Sequence, residues 1–200
     1  GRAAREGRAR SGMVFQAPAL EDRLSARENL KIHAALYGTP WSKVRQEVDD
    51  ALAWASLSDM ARRPVRSFSG GMKRRLELCR ALMHEPAVLF LDEPTLGLDP
   101  QGRQHLWERI DDLRTRGLTV LMTTHNLEDA ERCNRVAIID QGELIALGTP
   151  ADLKQAVVAD AAASLEDVFL ELTGRELRDQ GATARTRMLN FARKGGEQTR

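Results

Sequence analysis

The sequence SFSGGMKRRLELCRALMHEPAVLFLDEPTLGLDP, residues Ser67 to Pro100, contains four local signals in an order that suits a phosphate-handling site. A glycine-led helix comes first and a short apolar strand follows it. Two adjacent carboxylates come directly after the strand, and an aspartate–proline pair then starts another helix. Open α/β sheets bind their ligands at the carboxyl ends of the strands. The segment therefore predicts an α/β fold with a site at that edge of its sheet.

The strand is predicted from the unbroken apolar run AVLFL, residues 87 to 91. A short run of this kind is typical of a parallel strand buried on both faces. At its carboxyl end, Asp92 is expected to bind Mg²⁺, directly or through water, and Glu93 to polarise water that attacks a phosphoryl group. An acidic helix cap or loop is the alternative for an Asp-Glu pair. The neighbouring glycine motif favours the catalytic interpretation.

The helix before the strand opens on Ser69-Gly70-Gly71 and is predicted to run to about His84. Its inward face is expected to consist of Leu76, Cys79, Leu82 and Met83. The free N–H groups of the first turn and the positive end of the helix dipole would form an anion site, and the glycines would let a phosphate approach the backbone. An ordinary serine-capped helix explains the same residues without a ligand.

Five motifs resemble those of the ATP-binding-cassette (ABC) ATPases. They are FSGGM at 68–72 (signature), VLFLDEP at 88–94 (Walker B), GLDP at 97–100 (D-loop), TTHN at 123–126 (H-loop) and VFQ at 14–16 (Q-loop). Their order and spacing match the family from the first residues to about Gly174. Met72 and SLEDVFLELTGRE at 164–176 are most similar to ATPase subunits of bacterial drug exporters of the daunorubicin-resistance type.

The resemblance implies the site, the cofactors and the partners. The implied cofactors are ATP and Mg²⁺. The implied partners are a transmembrane permease subunit and a second ATPase subunit, which would form a homodimer with this one. The implied location is cytoplasmic, peripheral on the inner face of the membrane through the permease. The implied residues are Glu93, His125 and Gln16 for catalysis, Asp92 and Gln16 for the metal, Ser69, Gly70 and Gly71 for ATP bound in trans, and Asp99 at the dimer interface.

One motif of the family does not occur in these 200 residues, the phosphate-binding (Walker A) loop G-x-x-x-x-G-K-S/T. In ABC ATPases it precedes the Q-loop. We therefore expect a chain truncated at its amino end, with a partial P-loop NTPase core of mostly parallel sheet plus a helical subdomain. Such a fragment would have a defective core and an exposed sheet edge, and would not bind ATP in the usual way.

The predicted organisation has five parts: a strand and Q-loop at 1–16, a helical subdomain at 17–66, the ATPase core at 67–148, carboxyl-terminal helices at 149–174 and a polar basic tail at 175–200 that is expected to be disordered. In the helical subdomain a capping box at Ser25 to Glu28 starts one helix, and a second is predicted from about Ser42 to Ser56.

Later elements are predicted from caps and turns. Asp99 is expected to cap a helix that has Pro100 at its first position, and a buried strand is predicted at Leu118 to Thr123. A hairpin is expected around Gln141-Gly142. Further helices are predicted after Thr149 and Ser164.

Composition excludes several classes of protein. Charged residues make up 30% of the chain but the net charge is only +1, which gives no electrostatic reason to expect nucleic-acid binding. Cys79 and Cys133 are isolated and lack the spacing of a metal site, which fits a reducing cytosol. No apolar run is long enough to span a bilayer.

Some alternatives stay open at this point. Tyr37, Trp41 and Trp54 are candidate contacts for the membrane subunit, although core positions explain them equally well. His33, His84 and His105 are interpreted as structural. Two other functions compete with transport: a soluble ABC protein of DNA repair or translation, and a non-catalytic module that supplies only its signature face to a partner.

Overall fold

The computed structural model describes residues 10–157 and 163–174. These residues fall into two compact units that are divided between Thr123 and Thr124, and each unit is described by itself. The predictions for the basic residues 1–9 and for the tail at 175–200 lie outside the described residues.

The first unit contains a three-stranded parallel sheet. Its strands are β1 (Ser11–Val14), β2 (Val88–Asp92) and β3 (Thr119–Thr123), in the order β1-β2-β3. Both pairings are parallel, with Val14 opposite Leu91 and Asp92 opposite Thr123. The predicted α/β class with a parallel sheet is confirmed, and β2 lies between its two neighbours.

The predicted burial of these strands is wrong for one face of the sheet. Leu89 and Leu91 of β2 are buried, but β3 alternates between exposed and half-buried residues. On the open face Met13, Phe90 and Leu121 lie side by side in register, with Met13 50% and Leu121 59% exposed. An apolar run indicates only that its residues can be buried. Whether they are buried depends on which other elements pack over the strand.

Between residues 10 and 123 the first unit also contains four helices and two 3₁₀ turns. The helices are α1 (Ala26–Leu36), α2 (Trp41–Trp54), α3 (Gly70–Leu82) and α4 (Pro100–Thr115), and the turns are Ser58–Met60 and Val65–Ser67. The capping box of α1 is confirmed, because Glu28 N–H donates to Ser25 Oγ at 3.2 Å and Ser25 N–H donates to Glu28 Oε2 at 2.8 Å. Gly38, with φ of 78°, follows this helix.

Helices α1, α2 and α3 share one apolar core. Its fully buried side chains include Leu30, Val48, Leu52, Leu57 and Leu76, and each such side chain stabilises the fold by about 1.5–3 kcal/mol through burial. Cys79 belongs to the same core, as predicted.

A stack of three aromatic rings joins α1 to the end of α3. The Tyr37 ring stacks on His33 and on His84, with centroids 4.4 Å and 4.0 Å apart. His84 Nε2 lies 3.0 Å from the carbonyl oxygen of Ser11 at the start of β1. Burial lowers the pKa of His33 to about 4, with the charges of Arg80 and His84 acting in the same direction. The structural interpretation of these two histidines is confirmed.

The second unit is built on an antiparallel hairpin. Strands β4 (Val136–Asp140) and β5 (Glu143–Gly148) are joined by Gln141 and Gly142, whose φ values are 47° and 83°. Two positive φ values match the turn geometry that fits the twist of a tight hairpin. The predicted hairpin is confirmed.

In the described part of this unit, three helices accompany the hairpin: α5 (Leu127–Glu131), α6 (Pro150–Val157) and α7 (Leu165–Gly174). Their shared core includes Ile138, Leu153, Leu165 and Val168. Glu131 ties the helices together, because its carboxylate accepts from Lys154 Nζ at 2.5 Å and from Leu165 N–H at 2.9 Å. Over the two described ranges, no helix combines the length and apolar character that crossing a bilayer requires.

Candidate functional site

The acidic pair lies at the carboxyl end of the central strand. Asp92 is the last residue of β2, and its Oδ1 accepts a hydrogen bond of 2.6 Å from Thr123 Oγ1 at the end of β3. The Glu93 N–H donates to the Thr123 carbonyl oxygen at 3.1 Å. The parallel register therefore places the pair at the sheet edge where the sequence predicted a site.

Glu93 has a backbone conformation that the sequence did not predict. Its φ is 44°, in the left-handed region that a residue with a Cβ rarely adopts. A turn follows directly, with Leu96 N–H donating to the Glu93 carbonyl oxygen at 3.2 Å. Strained conformations of this kind persist only where the surroundings hold them, and they are concentrated at functional sites.

Gln16 lies at the same edge of the sheet. It follows β1 by two residues, and β1 pairs with β2 so that Val14 is opposite Leu91. Its side chain is exposed, as is that of Asp92. The register thus places the three predicted residues Gln16, Asp92 and Glu93 at the same edge of the sheet.

The predicted anion site lies at the first turn of helix α3. Ser69 is the N-cap, and its Oγ accepts from Met72 N–H at 3.2 Å. Gly70 and Gly71 follow as the first helical residues, and a Cβ built on either would meet no atom within 4 Å. The surface above this first turn is therefore open, and the glycines are not required by packing within the described residues.

Asp99 and His125 occupy different settings. Asp99 is the N-cap of α4, and its Oδ1 accepts from Gly102 N–H at 2.9 Å, so the predicted cap is confirmed. His125 follows β3 by two residues and is exposed, but it belongs to the second unit. Its predicted place beside Glu93 stays a prediction.

A buried arginine and glutamate were missed by the sequence analysis. Arg74 and Glu77 of α3 are 7% and 0% exposed and lie 3.4 Å apart. Burial lowers the pKa of the Arg74 guanidinium, and Glu77 and Asp92 oppose that shift. Burial raises the pKa of Glu77, while the Ala19 N–H and Arg74 act against it. A signal was present, because both residues share the inward helical spacing of Leu78 and Ala81.

Mg²⁺ fits the oxygen ligands at this edge. Asp92 supplies an exposed carboxylate and Gln16 an exposed amide, which are ligand types that a hard cation accepts. The described residues hold no group of three or more histidine, cysteine, aspartate or glutamate side chains suited to a metal. Protein sites for Mg²⁺ commonly use one or two carboxylates together with substrate phosphates, so Asp92 and Gln16 are the residues that would hold the ion.

Comparison with known proteins agrees with this geometry. The family model for ABC transporters matches residues 2–96. The chain belongs to the ABC transporter ATP-binding family. The match includes the Q-loop, signature and Walker B residues described above, so the resemblance found in the sequence is confirmed.

Several relatives of this ABC domain are resistance or export proteins. The linearmycin resistance ATP-binding protein LnrL of Bacillus subtilis is 43% identical over 143 residues, covering 71% of this chain and 46% of the relative. A Nod factor export ATP-binding protein I of Burkholderia thailandensis is 47% identical, with coverages of 75% and 50%. The daunorubicin resistance ATP-binding protein DrrA3 of Streptomyces coeruleorubidus is 41% identical, with coverages of 84% and 52%.

A solved structure shows the same fold. An ATP-binding subunit of an ABC transporter superposes with a TM-score of 0.74 at 29% identity, covering 86% of this chain and 72% of that one. The ABC domain described here spans about half the length of the curated relatives that it matches.

Proposed function

We propose that this ABC protein is the ATP-binding and ATP-hydrolysing subunit of an exporter, and that it couples hydrolysis to transport through a separate permease. The observation that carries the proposal is the convergence of Gln16, Asp92 and Glu93 at one sheet edge, with Glu93 held in a left-handed conformation. This arrangement supplies a carboxylate, a metal ligand and a polar side chain at one edge of the sheet.

Each residue of the edge has a defined task in the proposed reaction. Mg²⁺ neutralises charge on the phosphates when it is bound. The Glu93 carboxylate accepts a proton from the attacking water, and Gln16 orients that water. His125, delivered two residues after β3, donates a hydrogen bond to the terminal phosphate.

The signature turn acts on a second subunit in this proposal. Ser69, Gly70 and Gly71 offer a hydroxyl and free backbone N–H groups at a helix N-terminus, which suits a phosphate bound by the partner ATPase. Asp99 reaches the same interface while it caps α4. Binding of ATP would then favour a closed homodimer, and hydrolysis would release it.

The helical part of the first unit offers a surface for the permease. Trp41 is 80% exposed and Tyr37 40%, and the neighbouring Leu36 is 78% exposed. Exposed aromatic and aliphatic side chains close together are typical of protein interfaces. Trp54 is half-buried beside Arg109, whose guanidinium lies 5.2 Å from its ring, so we assign Trp54 to packing. Binding to the permease would place the protein in the cytoplasm, at the inner face of the cell membrane.

The names of the relatives mention different compounds, and this supports export of small bioactive compounds as a class. Two of these relatives are named for resistance to linearmycin and to daunorubicin, and the third is named for export of Nod factor. Recovery of the complete gene product with a hydrophobic permease would support transport. Recovery with nucleic acid would favour a soluble ABC protein of repair or translation instead.

The decisive experiment replaces the catalytic carboxylate in the complete gene product. Glu93→Gln keeps size and hydrogen bonding but cannot accept the proton, so it should bind ATP, accumulate as a dimer on gel filtration and lose hydrolysis. Glu108→Gln is the matched control, because Glu108 is an exposed residue of α4 that contacts Gln104 at 3.1 Å. Hydrolysis by Glu93→Gln at the parent rate would refute the role assigned to Glu93, whereas absence of hydrolysis by the parent protein would favour the non-catalytic module.

A further inference from the structure

The guanidinium of Arg74 contacts three consecutive backbone carbonyls of the Walker B turn. Its Nη2 donates to the carbonyl oxygens of Asp92 and Glu93, each at 2.9 Å. Its Nε donates to the carbonyl oxygen of Pro94 at 2.9 Å. Since Thr123 holds the Glu93 N–H from the other side, the strained peptide of Glu93 is fixed at both ends.

The same side chain reaches the Q-loop. Arg74 Nη1 donates to the carbonyl oxygen of Phe15, the residue before Gln16, at 2.6 Å. Its remaining N–H donates to Glu77 Oε2 at 3.4 Å. An arginine side chain has five N–H donors, and all five are used here.

Glu77 and Arg80 hold the other end of the Q-loop. Glu77 Oε1 accepts from the Ala19 N–H at 2.7 Å, and Arg80 Nη1 donates to the Ala19 carbonyl oxygen at 2.6 Å. Gln16 therefore lies between Phe15 and Ala19, and the backbones of both residues are held by side chains of α3. Gln16 itself stays exposed.

We propose that Arg74 is a positioning residue that sets the separation between the Glu93 carboxylate and the Gln16 amide. The proposal rests on the proposed function, because these are the two side chains that would place the attacking water. Arg74 contacts the backbone carbonyls of Glu93 and of Phe15, the residue before Gln16, while the Gln16 side chain stays exposed. A displacement of about 1 Å in such a geometry can lower a rate by about 100-fold.

A positive charge at position 74 is not sufficient for the positioning role of Arg74. A lysine at position 74 would keep the buried Glu77 paired, but its single nitrogen cannot span the carbonyls of Phe15 and Pro94 together. Arg74→Lys in the complete gene product should therefore fold and bind ATP with an affinity within about threefold of the parent. Its kcat per ATP-binding site should fall about 10- to 100-fold.

The matched control is Arg27→Lys. Arg27 also forms an ion pair, with Asp49 at 2.5 Å, but this partly exposed pair joins α1 to α2 and reaches none of the site residues. We expect its kcat and KM for ATP to equal those of the parent. A second test variant, Arg74→Gln with Glu77→Gln, removes both buried charges together and avoids leaving one unpaired.

The measurements separate the possible outcomes. ATP-binding stoichiometry gives the fraction of folded sites, and the hydrolysis rate is divided by it. A fall in kcat per site for Arg74→Lys, or for the double variant if Arg74→Lys does not bind ATP, supports positioning when the control is unchanged. Parent kcat per site in Arg74→Lys, or loss of ATP binding in both variants, would overturn it. Absence of hydrolysis by the parent would overturn the proposed function and this inference with it.

Discussion

Among the described glycines, Gly12 of β1 has the least room for a side chain. A Cβ built there would lie 2.5 Å from the Ala81 carbonyl oxygen of α3, 3.0 Å from Leu89 Cδ1 and 3.1 Å from Pro86 Cγ. The nearest atom belongs to a helix backbone and cannot rotate away. The substitution Gly12→Ala must therefore push β1 and α3 apart.

The magnitude follows from two opposing effects. Overpacking a close contact costs about 1–3 kcal/mol of the free energy of unfolding. Replacing glycine by alanine recovers about 0.4–1 kcal/mol, because the unfolded chain loses conformational freedom. The net destabilisation should be about 1–2 kcal/mol.

Urea unfolding of the complete gene product, followed by circular dichroism, measures this change. With an m value of about 2 kcal/mol/M, the midpoint should fall by about 0.5–1 M. Gly174→Ala is the control, because a Cβ at this last residue of α7 would meet no atom within 4 Å. Its midpoint should be unchanged or raised. Equal midpoints for the two variants would refute the close contact between β1 and α3.

Three further predictions concern a cap, a thiol and a histidine. In Gly102→Ala the new Cβ would lie 2.7 Å from Asp99 Oδ1, so α4 should lose its cap and the free energy of unfolding should fall by about 1 kcal/mol. Faster amide hydrogen exchange in the first turn of α4 would show this loss, and unchanged exchange would contradict it. Burial raises the pKa of Cys79 to about 12, so iodoacetamide at pH 8 should label Cys133 first, and peptide mass spectrometry showing equal labelling would count against that burial. The pKa of His33 is about 4 when folded and 6.5 when unfolded, so the unfolded state binds more protons between these values and stability should fall by about 1–2 kcal/mol as pH drops through that window. His33→Gln should flatten this dependence in urea titrations at pH 7 and pH 5, and an unchanged slope would exclude His33 as its source.

Local features of this ABC domain were predictable because they depend on neighbours in the sequence. The capping box at Ser25 and the cap at Asp99 each involve a residue three positions away, and the turn at Gln141 needs only two residues with positive φ. The place of Asp92 at a strand end followed from an apolar run and its boundary. These signals survive in any tertiary context that keeps the element.

Other features were not predictable because their partners are distant in the sequence. Arg74 bonds to carbonyls between 18 and 59 positions away, and the strained φ of Glu93 is accompanied by a bond to Thr123, 30 positions on. The exposure of β3 likewise depends on what covers its outer face.

The amino-acid sequence was sufficient for the family, the order of the elements and the identity of the candidate site residues, since these are written as short motifs of fixed spacing. Tertiary structure alone revealed that Arg74 joins the Q-loop to the Walker B turn. The reason is physical: a buried guanidinium must satisfy all of its donors, and which carbonyls satisfy them is settled only when α3 packs against the strand ends.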